Sequence, residues 1–187
     1  MRFFYPYISV ILLKKRMKKF SILFVVLFLV IASCSSDDDG GQVSGNIVGT
    51  WLATDLSLAG DIEFEFEGET IKTTVLGEGY DLTSQLTFNE SPNTLTSEGT
   101  VNMELSISLN GITSTENIED FEFFDDGVWE VSGNKLIITE SGETSEADIL
   151  KLTSSELVIR VLETEVESEG GETVTSTFEI VASFSRQ

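Results

Sequence analysis

The feature that most constrains this chain is a period of two. From Gly49 onward, apolar and polar residues alternate, and no stretch carries a helical period. Val101, Met103, Leu105, Ile107 and Leu109 are separated by Asn102, Glu104, Ser106 and Ser108. In an extended chain that spacing sends one set to one face of a strand and the other set to the opposite face. Ile62-Glu63-Phe64-Glu65-Phe66 repeats the pattern with acids toward water. So do Leu157, Ile159 and Val161, and Phe178, Ile180, Ala182 and Phe184. The alternation predicts strands near 49–58, 61–67, 70–76, 82–89, 95–109, 112–124, 127–132, 134–140, 144–152, 156–166 and 173–185, with adjacent short strands able to merge. Asn110-Gly111 is a strong type I′ hairpin signal, because both central residues of that turn need positive φ. Ser132-Gly133-Asn134, Ser141-Gly142-Glu143 and Gly170-Gly171 mark further reversals. Eight to ten antiparallel strands joined by short hairpins form a meander whose edges must be closed or covered. The fold class expected is all-β, an antiparallel up-and-down β-barrel. A two-sheet β-sandwich is the alternative that local pattern leaves open.

Composition removes several functions. The chain of 187 residues contains no histidine. Serine and cysteine nucleophiles activated by histidine are therefore excluded, as are histidine metal ligands. After position 34 only Lys72, Lys135, Lys151, Arg160 and Arg186 are basic, against 32 acidic residues, a net of −27. Phosphate neutralisation needs clustered Lys and Arg, so no nucleic acid is expected as a partner. Cys34 is the single cysteine, which leaves no intrachain disulfide.

The first 33 residues read as a targeting segment. Lys14, Lys15, Arg16, Lys18 and Lys19 precede an apolar run from Phe20 to Ile31 broken only by Ser21. That run is shorter than the roughly 20 residues a membrane-spanning helix needs, and it ends in small residues, as a cleaved signal peptide does. Met17 is the expected true start. The tail Val30-Ile31-Ala32-Ser33-Cys34 resembles the bacterial lipobox. The resemblance implies cleavage before Cys34 and its lipidation by a diacylglycerol thioether and an amide-linked acyl chain such as palmitate. Two or more acyl chains anchor a protein stably, so the membrane is an expected partner. Ser35-Ser36-Asp37-Asp38-Asp39 resembles the acidic signal that sends Bacteroidota lipoproteins to the outer membrane, facing the cell exterior. The expected organisation is a signal peptide over 1–33, a lipidated cysteine with an acidic, glycine-containing linker over 34–46, and one β-domain over 47–187.

A second resemblance covers that domain. Ile47-Val48-Gly49-Thr50-Trp51 at the head of the first strand is similar to the Gly-x-Trp signature of lipocalins. The runs Gly127–Ile138 and Ile149–Ile159 resemble the lipocalin-like lipoproteins of Bacteroidota. The resemblance implies structural roles for Gly49, which lets the chain enter the barrel closely, and Trp51, which plugs its closed end. It also implies a basic side chain packed over that ring, with Arg186 the positional candidate and Arg160 the alternative. The placement of Trp129, inside or outside, stays open.

For function, the expectation is a small apolar ligand held in the barrel, with Phe64, Phe66, Val101, Met103, Leu105, Ile107, Phe178 and Ile180 as candidate cavity-lining residues. The alternative is a surface interaction or structural module with a filled barrel, presenting Asn89–Ser97 and Glu163–Glu172 as loops. Catalysis and metal binding are not expected, and no cofactor is implied. The acids Glu119, Asp120, Asp125 and Asp126 lie near Phe121, Phe123, Phe124 and Trp129. Among so many acids such neighbours arise by chance, and no calcium-loop spacing is present.

Overall fold

A computed structural model describes residues 44–66, 68–169 and 172–187. Cys34, the acidic run at 37–39 and the Gly170-Gly171 turn lie outside the described residues. The described chain is all-β, with eleven strands: β1 (Gly49–Phe66), β2 (Glu69–Tyr80), β3 (Gln85–Asn89), β4 (Thr94–Glu98), β5 (Val101–Leu109), β6 (Ile112–Phe121), β7 (Gly127–Ser132), β8 (Lys135–Glu140), β9 (Glu143–Leu152), β10 (Glu156–Glu169) and β11 (Glu172–Arg186). The strand positions follow the alternation closely. Asn110 and Gly111 both have positive φ, as do Ser141 and Gly142, the geometry that tight hairpins of this hand require.

The pairings form a closed ring in the order β1-β3-β4-β7-β8-β9-β10-β11 and back to β1, with each of these pairs antiparallel. Closure removes the edges that an open sheet of this size would expose, and it settles the barrel against the sandwich. The ring has eight strands because six of the eleven elements combine into three long, bent strands. β2 with β3, β4 with β5, and β6 with β7 each run the length of the wall and bend once.

The bends fall on one line. Residues 81–84 break the first long strand, with Asp81 at positive φ. Gly99, also at positive φ, and Thr100 break the second. Residues 122–126 break the third. Thr83 and Thr100 bridge across the line: Thr83 N and Oγ1 donate to the Thr100 carbonyl at 2.9 Å each, and Thr100 N donates to Thr83 Oγ1 at 3.0 Å. β1 crosses the line with a bulge at Thr54, where its register against β11 slips by one. The bulge keeps Ala53 and Leu56 on the same face, and both are buried.

On one side of this line the ring is complete and its interior is solid. Trp51, Leu86, Leu136, Leu157 and Ile159 have no exposed surface, and Phe88, Ile138 and Phe184 are almost as buried. On the other side the wall is a six-stranded sheet in the order β10-β11-β1-β2-β5-β6. There β10 beyond Arg160 pairs with β11 alone, and β6 pairs with β5 alone, among the described residues. The barrel therefore has a closed, filled end and a flared, open end.

One pair of adjacent strands merges, and the two expected loops need correction. The segments at 49–58 and 61–67 are one strand, because Gly60 does not interrupt it: a Cβ there would collide with Phe178 and the Thr177 carbonyl. Glycine marks a close approach at this point rather than a turn. The stretches Asn89–Ser97 and Glu163–Glu172 are mostly strand, with only residues 90–93 forming the turn in the first.

Candidate functional site

The closed end is built around Trp51. Its indole Nε1 donates to the Ile47 carbonyl at 2.7 Å, which satisfies the one polar atom of a ring that is wholly buried. The Arg186 guanidinium lies 4.2 Å from the ring centroid, a cation–π contact. The same guanidinium donates to three carbonyls: from Nη1 to Val48 at 2.6 Å, from Nη2 to Asn46, and from Nε to Ser154 at 2.8 Å. It thus ties the entering segment to the β9–β10 turn. Gly49 has φ +131°, and a Cβ there would stand 2.5 Å from Arg186 Nη1, so glycine is what lets the arginine reach over the ring. Of the two basic candidates, the structure selects Arg186. Arg160 lies on the outer face with Asp148, 2.8 Å away.

Trp129 is half-buried beside this end. Its Nε1 donates to the Asn89 carbonyl at 2.9 Å, and its ring meets Phe88 edge-on with centroids 5.8 Å apart. A further plug comes from the segment joining β6 to β7. Phe123 stacks edge-on with Phe124, Phe121 and Phe184, at centroid distances of 4.7, 6.4 and 6.2 Å. The aromatic run at 121–124 is visible in the sequence, but its inward turn depends on the bend at 122–126.

The candidate cavity-lining residues divide between the two ends. Val101, Met103, Leu105 and Ile107 are buried. A Cβ on Gly77 would lie 2.8 Å from the side chains of both Leu105 and Met103, so this row packs into its neighbours and forms a floor. Phe64, Phe178 and Ile180 are half-exposed, and the Phe66 side chain lies outside the description. The register places the half-exposed group. Gly60 pairs with Val75 and with Phe178, and Val75 pairs with Ile107. Val75 and Ile107 point into the core. Two residues further along each strand, Ile62, Thr73 and Leu109 share that face, and then Phe64, Ile71 and Val174. These side chains form a partly exposed apolar surface on the inside of the flared sheet.

The acids near the aromatic run serve the connection between β6 and β7. Asp126 Oδ1 accepts from Ser97 N at 2.8 Å, and Asp125 N donates to Glu140 Oε1 at 3.2 Å. An open depression of about 410 Å³ adjoins them, lined by Ser97, Gly99, Glu122, Phe124, Asp125, Asp126 and Ser141. Among the described residues no group of three or more Asp, Glu, Cys or His is placed to hold a metal.

The outer wall carries an ionic chain across adjacent strands. Asp148 on β9 meets Lys135 on β8 at 2.7 Å and Arg160 on β10 at 2.8 Å, and Arg160 reaches Glu179 on β11 at 3.8 Å. The hydrogen bond from Lys135, and then that from Arg160, hold the Asp148 carboxyl below the usual carboxylate range. Lys72 does the same for Asp61 on the outside of the flared sheet, at 3.0 Å.

No curated protein and no solved structure matches the chain significantly. The family model of the lipocalin-like domain matches residues 47–159, well over half of the sequence. That stretch begins at the carbonyl that receives the Trp51 indole and runs through the closed ring as far as β10. With its closed eight-stranded ring and a tryptophan sealing one end, this chain belongs to the lipocalin-like domain family.

Proposed function

We propose that this protein is a lipid-anchored, outer-membrane binder of a small apolar molecule, which it holds against the inner face of the flared sheet. The observation that carries the reading is the contrast across the bend line. The ring end is solid, so no ligand enters there, whereas Ile62, Ile71, Leu109 and Val174 leave apolar surface partly open on one concave face. Lipocalin-like barrels suit a binding or carrier role, and concave, largely apolar surfaces are where small molecules bind. The role is binding, without catalysis. Anchoring at Cys34 and export to the cell exterior rest on the lipobox-like tail and the acidic run after it. Cys34→Ala is expected to release the protein from membranes.

The test of binding is titration of the barrel unit, Asp38–Gln187, with the neutral fluorophore N-phenyl-1-naphthylamine. This unit is compact and contains the whole described core. Saturable one-to-one binding is expected. Leu109→Asp should weaken it by about tenfold or more, because an ionised carboxylate in an apolar contact costs more than 1.4 kcal/mol. Absence of saturable binding overturns the reading in favour of a second one, a surface interaction module. That second reading draws on the solid ring end, where Trp51 and Phe123 leave no room for a ligand.

A further inference from the structure

The flared sheet ends in two strand edges, and they are not alike. β10 pairs with β9 only as far as Arg160, and from there to Glu169 it pairs with β11 alone among the described residues. An edge of that length presents a row of backbone donors and acceptors that another extended chain can take up. Edge strands are ordinarily blunted by lysine, proline or a bulge. Residues 161–169 contain no lysine and no proline, and the register with β11 runs without a slip from Glu156 to Glu169. β6, the other edge, is blunted. Its register against β5 slips between Val101 and Met103, Asp120 has positive φ, and its outward row of Thr113, Thr115 and Asn117 is polar and exposed.

The two faces of β10 set the chemistry that such a chain must carry. Leu157 and Ile159 are fully buried, so alternation puts Glu165 and Glu167 on the inner face and Leu162, Thr164 and Val166 on the outer one. Leu162 and Val166 are 59% and 60% exposed. Each has a cross-strand neighbour on β11, Glu179 and Thr175, and none on the open side among the described residues. Glu165 and Glu167 are exposed, and neither is in an ion pair among the described residues. A strand laid along this edge therefore meets acids with one set of alternate side chains and bare apolar groups with the other.

We propose that the free edge of β10 binds an extended peptide of another protein in which lysine or arginine alternates with apolar residues. The peptide adds to the sheet as a further antiparallel strand, held by main-chain hydrogen bonds along 161–169. Its bases face Glu165 and Glu167, and its apolar side chains pack on Leu162 and Val166. Charge selects this occupant over two others. Residues 34–43 of the chain itself carry Asp37, Asp38 and Asp39 and no base, and they join the barrel at its closed end, where Ser44 N donates to the Leu152 carbonyl at 3.0 Å. A second copy would bring the same excess of acids to the edge, and like charges on neighbouring strands oppose pairing. The site lies on the strand edge, so the proposal goes beyond apolar binding and does not depend on it.

The experiment titrates Asp38–Gln187 into a fluorescent peptide of alternating lysine and valine, long enough to span 161–169, and reads anisotropy. Saturable binding is expected. A peptide of the same composition, with its lysines in one block and its valines in the other, should bind about tenfold or more weakly. Leu162→Thr with Val166→Thr keeps the charge and the strand propensity and should weaken the alternating peptide by about tenfold. Glu165→Lys with Glu167→Lys should transfer the preference to an alternating glutamate–valine peptide. Glu78→Lys with Glu104→Lys, a cross-strand pair on the outer face of β2 and β5, makes the same change in net charge and should leave the lysine peptide the tighter. Equal binding of the alternating and block peptides, or equal effects of the two lysine double variants, assigns the attraction to overall charge and overturns the proposal. A barrel that dimerises in sedimentation velocity, and is monomeric with Leu162→Thr and Val166→Thr, makes a second copy the occupant and overturns it too. Absence of peptide binding overturns it and leaves the apolar-binding reading standing.

Discussion

The two ends of this barrel are built from the same alternating strands, yet only one of them is a core. At the ring end the inward side chains Trp51, Leu86, Leu136, Leu157 and Ile159 lose all contact with water. At the flared end the same parity continues along β1, β2, β5 and β11, but the wall opposite is absent among the described residues. Inward side chains there stay partly wet, and on β10 they become glutamates. The difference teaches that an inward position becomes buried only where the ring closes around it. Stability is therefore concentrated at one end, which leaves the other free to carry surface that folding does not consume.

The largest test of this division is Trp51→Ala. It deletes the central side chain of the closed end, orphans the Ile47 carbonyl and removes the ring under Arg186, so a loss of about 3–5 kcal/mol is expected in urea unfolding. A loss below about 1 kcal/mol would place the stability of the barrel elsewhere.

An intermediate effect is expected from the outer ionic chain. Asp148 is 13% exposed on its side chain and meets two cations. Its folded-state pKa is lowered, so its contribution is fully present above the unfolded-state value, near 3.9, and is lost as pH falls through the lower folded value. Asp148→Asn should cost about 1 kcal/mol at neutral pH, since both partners remain solvated. It should also flatten the dependence of unfolding midpoint on pH below about 4. An acid dependence identical to that of the parent would show that the chain of ion pairs across β8, β9 and β10 contributes nothing.

The smallest effect sharpens the comparison from the other side. Ile112, at the tip of β6 in the flared half, is 73% exposed. Ile112→Ser should change stability by less than about 0.5 kcal/mol, because little apolar surface is withdrawn from water there. A loss comparable to that at Trp51 would mean the flared end is covered in solution.

Much of this arrangement can be read from the chain before any coordinates. The period of two sets strand parity, and the glycine-containing turns at 110–111 and 141–142 set the hairpins, because both signals act over a few residues. Gly49 and Trp51 are legible as a pair for the same reason. The bends are harder. Residues 95–109 read as one strand, with clean alternation only from Val101 onward, yet the chain breaks at Gly99, where the fault only makes sense beside those at 81–84 and 122–126 in neighbouring strands. The glutamates of 163–169 have the composition of a solvated loop and become strand only because β11 supplies hydrogen-bond partners across fourteen residues.

Alternation, turn chemistry and the distribution of charge are local properties, and the sequence alone determined them: an all-β chain, its hairpins, and its scarcity of bases. Which inward residues became core, that Arg186 rather than Arg160 caps the tryptophan, and that acids and apolar groups share one concave face were decided only in three dimensions. Ring closure and register join residues more than a hundred positions apart, and no short-range pattern encodes those distances.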